Sequence, residues 1–276
     1  MSILTKVLEA FTAEAAVFRD LAASAPAADW DLVTPADPWT IKDQVAHLTF
    51  IFDLAAAAAA DPEKFRAMTA PVGEKGFDAA VNAVLARYNQ GPKETMLEAF
   101  DRQTASVTGA LGAQDPDGVV PWLVNPLPPH ILTTAGMIEL FAHGQDIADA
   151  RGVEVPRTDR VAYLLPFIHR TIPFGYETRG LEPPARAFRF AVELPGGDPF
   201  QVGPEDAPNV VCGAAVDLAL LATRRRHPDD LSLHASGPDA ADYLEVAQAY
   251  RGPAGPGRSP RGAATSRTPE STAATP

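Results

Sequence analysis

Apolar residues recur through the first half of the chain with the 3.6-residue period of helices that bury one face. Leu4, Val7, Leu8, Phe11, Ala15, Phe18 and Leu21 predict a helix over 3–25. Ile41, Val45, Leu48 and Phe52 predict a second over 41–60, opened by Thr40 as N-cap with Asp43 three residues on, a variant of the capping box. A less regular stretch follows, with a short helix expected at 77–89. Met96, Leu97, Phe100 and Val107 predict a helix over 95–111. The last helix of this half runs over 131–151 and closes at Gly152, a common residue just past a helix end. Helices of this length in one block predict a helical bundle with a site between facing helices.

The 131–151 helix carries an anomaly. Met137, Ile138, Leu140, Phe141 and Ile147 cover much of its circumference, yet Glu139, His143 and Asp146 stand at i, i+4 and i+7 and project within a narrow arc. Read alone, that stripe fits a solvated face or a face turned into a polar pocket. On the earlier helix, His47 lies at the flank of the apolar face. Taken singly it is a hydrogen-bonded core histidine or a ligand.

Between the last two helices, residues 119–130 hold four prolines in twelve positions, which predicts a rigid, non-helical loop at the rim of any pocket. Trp122 and His130 are its candidates for substrate contact, set against a plain packing or solvent-facing role. Beyond about residue 155 the pattern changes. Residues 186–194 alternate as a strand does, 195–198 form a turn, and 200–202 and 209–212 are short strand candidates. A helix over 214–226, a strand over 231–234 and a helix over 239–250 complete a small α+β unit. Arg224, Arg225, Arg226 and His227 are expected to cap the first of these helices or face solvent, with anion binding as the other reading. From Gly252 the chain is mostly Pro, Gly, Ala, Ser, Thr and Arg without aromatics, the composition of a disordered tail. The predicted organisation is thus a bundle over 1–153, a small α+β domain over 154–251 and a tail over 252–276.

Composition narrows the function classes. A net charge of −12 argues against nucleic acid and anionic membrane as partners. The longest apolar run, Leu54 to Ala60, is too short to span a bilayer. Nothing at the N-terminus has the basic-then-apolar pattern of a secretory leader, and a single cysteine, Cys212, rules out an internal disulfide. These features predict a cytoplasmic protein, with Cys212 as a small buried hydrophobe. Arginine outnumbers lysine 18 to 5, as in proteins of GC-rich genomes.

Glu139 and His143 lie one helical turn apart and can share a metal ion, and His47 about 90 residues upstream is a plausible third ligand. Two imidazoles and one carboxylate leave a coordination position open, as catalytic sites do. Zinc, nickel, manganese and iron all suit such a set. Asp146, one turn beyond His143, is placed to orient a ligand imidazole or a water.

Three stretches carry a family resemblance: Trp39-Thr-Ile-Lys-Asp-Gln-Val-Ala-His-Leu48, Glu139-Leu-Phe-Ala-His-Gly-Gln-Asp-Ile-Ala-Asp149 and Gly213-Ala-Ala-Val-Asp-Leu-Ala-Leu-Leu-Ala-Thr-Arg-Arg225. The chain resembles the DinB/YfiT-like metalloenzyme superfamily, in the branch of mycothiol-dependent maleylpyruvate isomerase. The resemblance implies an α+β protein with an N-terminal four-helix bundle and a sterol-carrier-like C-terminal domain. It also implies a divalent ion, usually zinc, on His47, Glu139 and His143. Related enzymes use the metal to activate a low-molecular-weight thiol, mycothiol, for isomerisation of or conjugation to a small electrophile. Two other readings stand beside it. One is a thiol-independent metal-dependent isomerase, cyclase or hydrolase of specialised metabolism, and the other is a non-catalytic binding protein for a small ligand. A bundle site open at one end is also one that a second subunit can close, so a homodimer is among the assemblies open to the chain.

Overall fold

The computed structural model describes residues 1–75, 83, 85–123 and 125–261. Helices α1 (Ile3–Ser24), α2 (Ile41–Ala60), α4 (Lys93–Gly112) and α5 (Pro129–Arg151) form a four-helix bundle, with α3 (Pro62–Lys75) following α2. α2 packs on α4 and α1 on α5, and the pairs α1–α4 and α2–α5 close the ring of neighbours. The four long helices lie where the periodicity places them. The short helix expected at 77–89 falls mostly on residues outside the described set.

Local chemistry sets the helix ends. Thr40 accepts from the Asp43 amide while the Asp43 carboxylate accepts from the Thr40 amide, so the predicted capping box opens α2. Ser2 caps α1 through the Thr5 amide. Gly152, left-handed at φ 63°, stops α5. Inside the bundle the aromatics meet edge-on or tilted, with Phe11–Phe52 centroids 5.0 Å apart, Phe18–Phe100 5.2 Å and Phe52–Phe100 5.8 Å.

The C-terminal half is a four-stranded sheet with short helices against it, so the fold is α+β as expected. Strands β1 (Phe188–Glu193), β2 (Pro199–Val202), β3 (Asn209–Ala214) and β4 (Leu233–Ser236) lie in the order β2-β1-β3-β4. β1 and β3 run parallel, from Phe188↔Asn209 to Glu193↔Ala214, and the outer pairs are antiparallel. Phe188, Phe190 and Val192 of β1 are buried, and the ring of Tyr243 packs against both phenylalanines. Two short helices that the sequence reading did not foresee, α6 (Leu165–Arg170) and α7 (Ile172–Glu177), join bundle to sheet.

Several boundaries differ from expectation, each for a local reason. The helix expected over 214–226 is α8 (Ala215–Ala222), because Arg224 adopts φ 58° and takes the chain off the helical path. The strand expected over 231–234 sits two residues later, where Gly213↔Leu233 and Val210↔Ser236 set its register on β3. The last helix, α9 (Ala240–Val246), is shorter than the expected 239–250, because the chain leaves it to hydrogen-bond Ala249 N to the Ala222 carbonyl. Cys212 is half-buried rather than buried, opposite His234 on β4. The stretch 252–261, expected to be disordered, makes defined contacts: Thr178 donates to the Gly252 carbonyl at 2.5 Å and Arg261 N to Asp230 at 2.9 Å. Residues 262–276 of the predicted tail lie outside the described set.

Gly175 on α7 shows how closely α7 packs on the chain after α9. A Cβ there would lie 2.0 Å from the Val246 carbonyl oxygen, which is backbone and cannot rotate away. Gly175→Ala should therefore lose at least the roughly 1–3 kcal/mol of an overpacked core. Gly109→Ala on exposed α4, where a Cβ meets nothing within 4 Å, should gain about 0.5–1 kcal/mol. Urea midpoints of the two variants check this, and equal midpoints would contradict the packing.

Candidate metal centre

α2 and α5 face each other across the bundle and bring His47, Glu139 and His143 together. Each offers one ligand atom, and these atoms lie within 4.8 Å of one another. Glu139 Oε2 stands 3.3 Å from His47 Nε2 and 3.1 Å from His143 Nε2. The two imidazole centroids are 4.7 Å apart. His47 and His143 are buried, while the Glu139 side chain keeps 31% of its surface exposed, so the cluster opens on the glutamate side. Burial pushes the Glu139 carboxyl up, but hydrogen bonds and charge from His143 and His47 outweigh it and hold it well below the usual carboxylate range. Burial is the largest influence on His143 and holds it below an ordinary histidine, although Glu139 pulls the other way.

Two residues that the sequence reading did not single out complete the surroundings. Trp39, half-buried just before the α2 cap, lies 4.9 Å from the His47 ring and stacks on His143 at 5.8 Å and 19°. Gln44, fully buried one turn before His47, places its Oε1 on His143 Nδ1. A signal existed for each. Gln44 is a polar residue on the stripe that Ile41 and Leu48 mark as core, and Trp39 is an aromatic set directly before an N-cap.

Asp146 does less for the histidine than its position on the stripe suggests. Its nearest oxygen is 3.8 Å from His143 Nδ1, beyond hydrogen-bond reach. Its carboxylate, with no exposed surface, accepts from Arg225 Nη2 at 2.6 Å, from Arg225 Nε at 3.2 Å and from Arg258 Nη2 at 2.5 Å. Burial pushes the Arg225 guanidinium down, but Asp146 beside it outweighs that and raises it above the ordinary arginine value. One turn on, Asp149 takes both ends of Arg226 at 2.6 and 2.7 Å. Arg225 and Arg226, expected to cap α8 or face solvent, dock the C-terminal half onto α5. Arg225 also meets the capping expectation, donating Nη1 to the Thr223 carbonyl at the end of α8 at 2.7 Å.

Of the two rim candidates, His130 lies away from this cluster. His130 sits in the first turn of α5, nine residues before Glu139 and hence about 13 Å along the helix axis. Trp122 is half-buried with its ring stacked 6.3 Å from that of Phe65 on α3. Among the described residues no helix is long and apolar enough to cross a membrane.

Residues 11–148, half of the chain, match the family described as the mycothiol maleylpyruvate isomerase N-terminal domain. An uncharacterised protein of Mycobacterium tuberculosis, found in two strains, is 35% identical over 243 residues, covering 86% of this chain and 92% of its own length. The crystal structure of the mycothiol-dependent maleylpyruvate isomerase superposes with a TM-score of 0.56 at 14% identity, over 85% of this chain and 96% of that one. A histidine-to-alanine variant of that enzyme gives 0.54 over the same shares. The superposition covers bundle and sheet alike, and with a family match spanning α1 to α5 it leaves one conclusion: the chain belongs to the mycothiol maleylpyruvate isomerase N-terminal domain family.

Proposed function

We propose that the chain is a divalent-metal-dependent enzyme. His47, Glu139 and His143 hold the ion, and mycothiol serves as cosubstrate in isomerising, or adding to, a small electrophilic metabolite. The observation that carries this reading is convergence. Ligand atoms from residues 92 positions apart in sequence meet within one 4.8 Å cluster, although two buried imidazoles and a carboxylate gain nothing from such crowding as core packing. The donor set fits a divalent ion such as zinc: two neutral nitrogens and one anionic oxygen, on rigid helices, with a position left over for a reactant. A bound ion supplies the Lewis acidity that favours a deprotonated thiol.

The chain's own residues account for the rest. Glu139, on the open side, meets an incoming molecule first and brings the one negative charge that offsets the ion. Trp39 covers the imidazole faces and keeps water off that side. Arg225 and Arg258 are committed to Asp146 and hold the C-terminal half against the site wall. The choice of mycothiol rests on the family's description and the isomerase that shares the fold.

Purified protein should carry about one equivalent of divalent metal by mass spectrometry, as expected of a preformed three-ligand site. Removing it with a chelator should abolish mycothiol-dependent turnover of maleylpyruvate or a related electrophile, and refilling with zinc should restore it. No metal even after reconstitution, or full turnover in the stripped protein, would sink the proposal. Turnover that needs metal but ignores mycothiol would remove the thiol alone.

A further inference from the structure

We infer that Gln44 is a positioning residue of this centre: its amide oxygen fixes His143 as the Nδ1–H tautomer and so aims the Nε2 lone pair at Glu139. The inference rests on the metal-centre reading and deepens it.

The direction of each proton can be traced from a carbonyl. The Thr34 hydroxyl donates to the Trp39 carbonyl oxygen at 2.8 Å, and a carbonyl has no proton to return. That commits the one hydroxyl proton, so the Thr34 oxygen must accept from its other neighbours. The Ala36 amide supplies one such bond at 3.3 Å and Gln44 Nε2 the other at 2.7 Å. The nitrogen end of the Gln44 amide therefore faces Thr34, and the oxygen end faces His143 Nδ1. An amide oxygen only accepts, so Nδ1 carries the proton. A neutral imidazole has a single N–H, which leaves Nε2 bare.

That bare nitrogen points at Glu139 Oε2 from 3.1 Å. A lone pair and a carboxylate oxygen at this separation repel unless a proton or a metal ion lies between them. The relay from Trp39 through Thr34 and Gln44 thus prepares a cation site before a cation arrives. Gln44 and Thr34 are both buried, so water does not compete for these bonds. Asp146 cannot serve instead, being 3.8 Å away and committed to two arginines. His47 offers a contrast within the same site: among the described residues its buried Nδ1 has no partner, and its polar contact is with Glu139 on the Nε2 side.

The test reads the imidazoles directly. In metal-free protein with 15N-labelled histidine, at mildly alkaline pH, two-bond 1H–15N spectra should show His143 as Nδ1–H. Gln44→Leu keeps bulk and burial but removes the acceptor, and should release His143 toward the Nε2–H form. It should also weaken zinc binding by about 10–100-fold, the usual effect of losing the partner of a ligating histidine. Gln44→Glu restores an acceptor and should keep the Nδ1–H form with zinc affinity within a few-fold of the parent. A role in packing alone would make the buried carboxylate at least as harmful as leucine. An Nε2–H His143 in the parent, or unchanged zinc affinity in Gln44→Leu, overturns the role of Gln44 and leaves the metal centre standing. A parent that binds no zinc at all overturns the centre itself.

Discussion

Asp146→Ala is expected to destabilise the protein by about 3–5 kcal/mol, the cost of breaking a buried ion pair from one side. The Asp146 side chain has no exposed surface, and those of Arg225 and Arg258 have 11% and 20%. Removing the carboxylate leaves two guanidinium groups facing a cavity. Arginine stays protonated at any accessible pH, so neither can escape by shedding its charge. Exposed ion pairs of the same geometry contribute about 0–1 kcal/mol, so the size of the loss reports directly on burial. For a chain of this size the expected fall in Tm is about 6–20 °C. Asp146→Asn should lose less, because an amide oxygen still accepts from Arg225. Pairing Asp146→Ala with Arg225→Met should recover part of the loss, since an apolar side chain does not object to the missing charge. A Tm within a degree or two of the parent would mean that this junction does not hold the two halves together.

That junction marks where sequence reading stops. The pattern of short range was legible throughout: Thr40 and Asp43 lie three residues apart, and the helix they open runs over the predicted 41–60. The convergence of Glu139 with His143 was legible too, because one helical turn joins them, and His47 followed from residue type and face. The stripe was less informative about depth. Glu139, His143 and Asp146 share an arc, but Asp146 stands about 4.5 Å further along the axis, level with arginines 79 and 112 residues away. No periodicity encodes a contact of that range. The same holds for Arg225 and Arg226, which read as the end of a helix until Arg224 turns left-handed and sends them back to α5. Residues 252–261 mislead for a related reason. Their composition favours disorder, yet Arg258 has a buried carboxylate to reach, and one such contact outweighs a weak local preference.

His143→Ala is expected to abolish tight metal binding while leaving the fold intact. Losing the outer partner of a ligating histidine weakens metal sites by about 10–100-fold, and losing the ligand itself must exceed that. Two ligands, His47 and Glu139, would remain, with Glu139 freed from one of the two imidazoles that hold its oxygen. The fold should tolerate the change because His143 lies beside an opening and packs mainly against Trp39 and His47. Thermal melts separate metal from fold. A ligand at 100 times its Kd adds about 2.7 kcal/mol of stability, worth about 5–10 °C in a protein of this length. Zinc should therefore raise the parent Tm by that much and leave the variant where its metal-free form lies, close to the metal-free parent. Equal zinc shifts in both proteins would remove His143 from the ligand set, and because Gln44 acts only through His143, its assignment would fall with it.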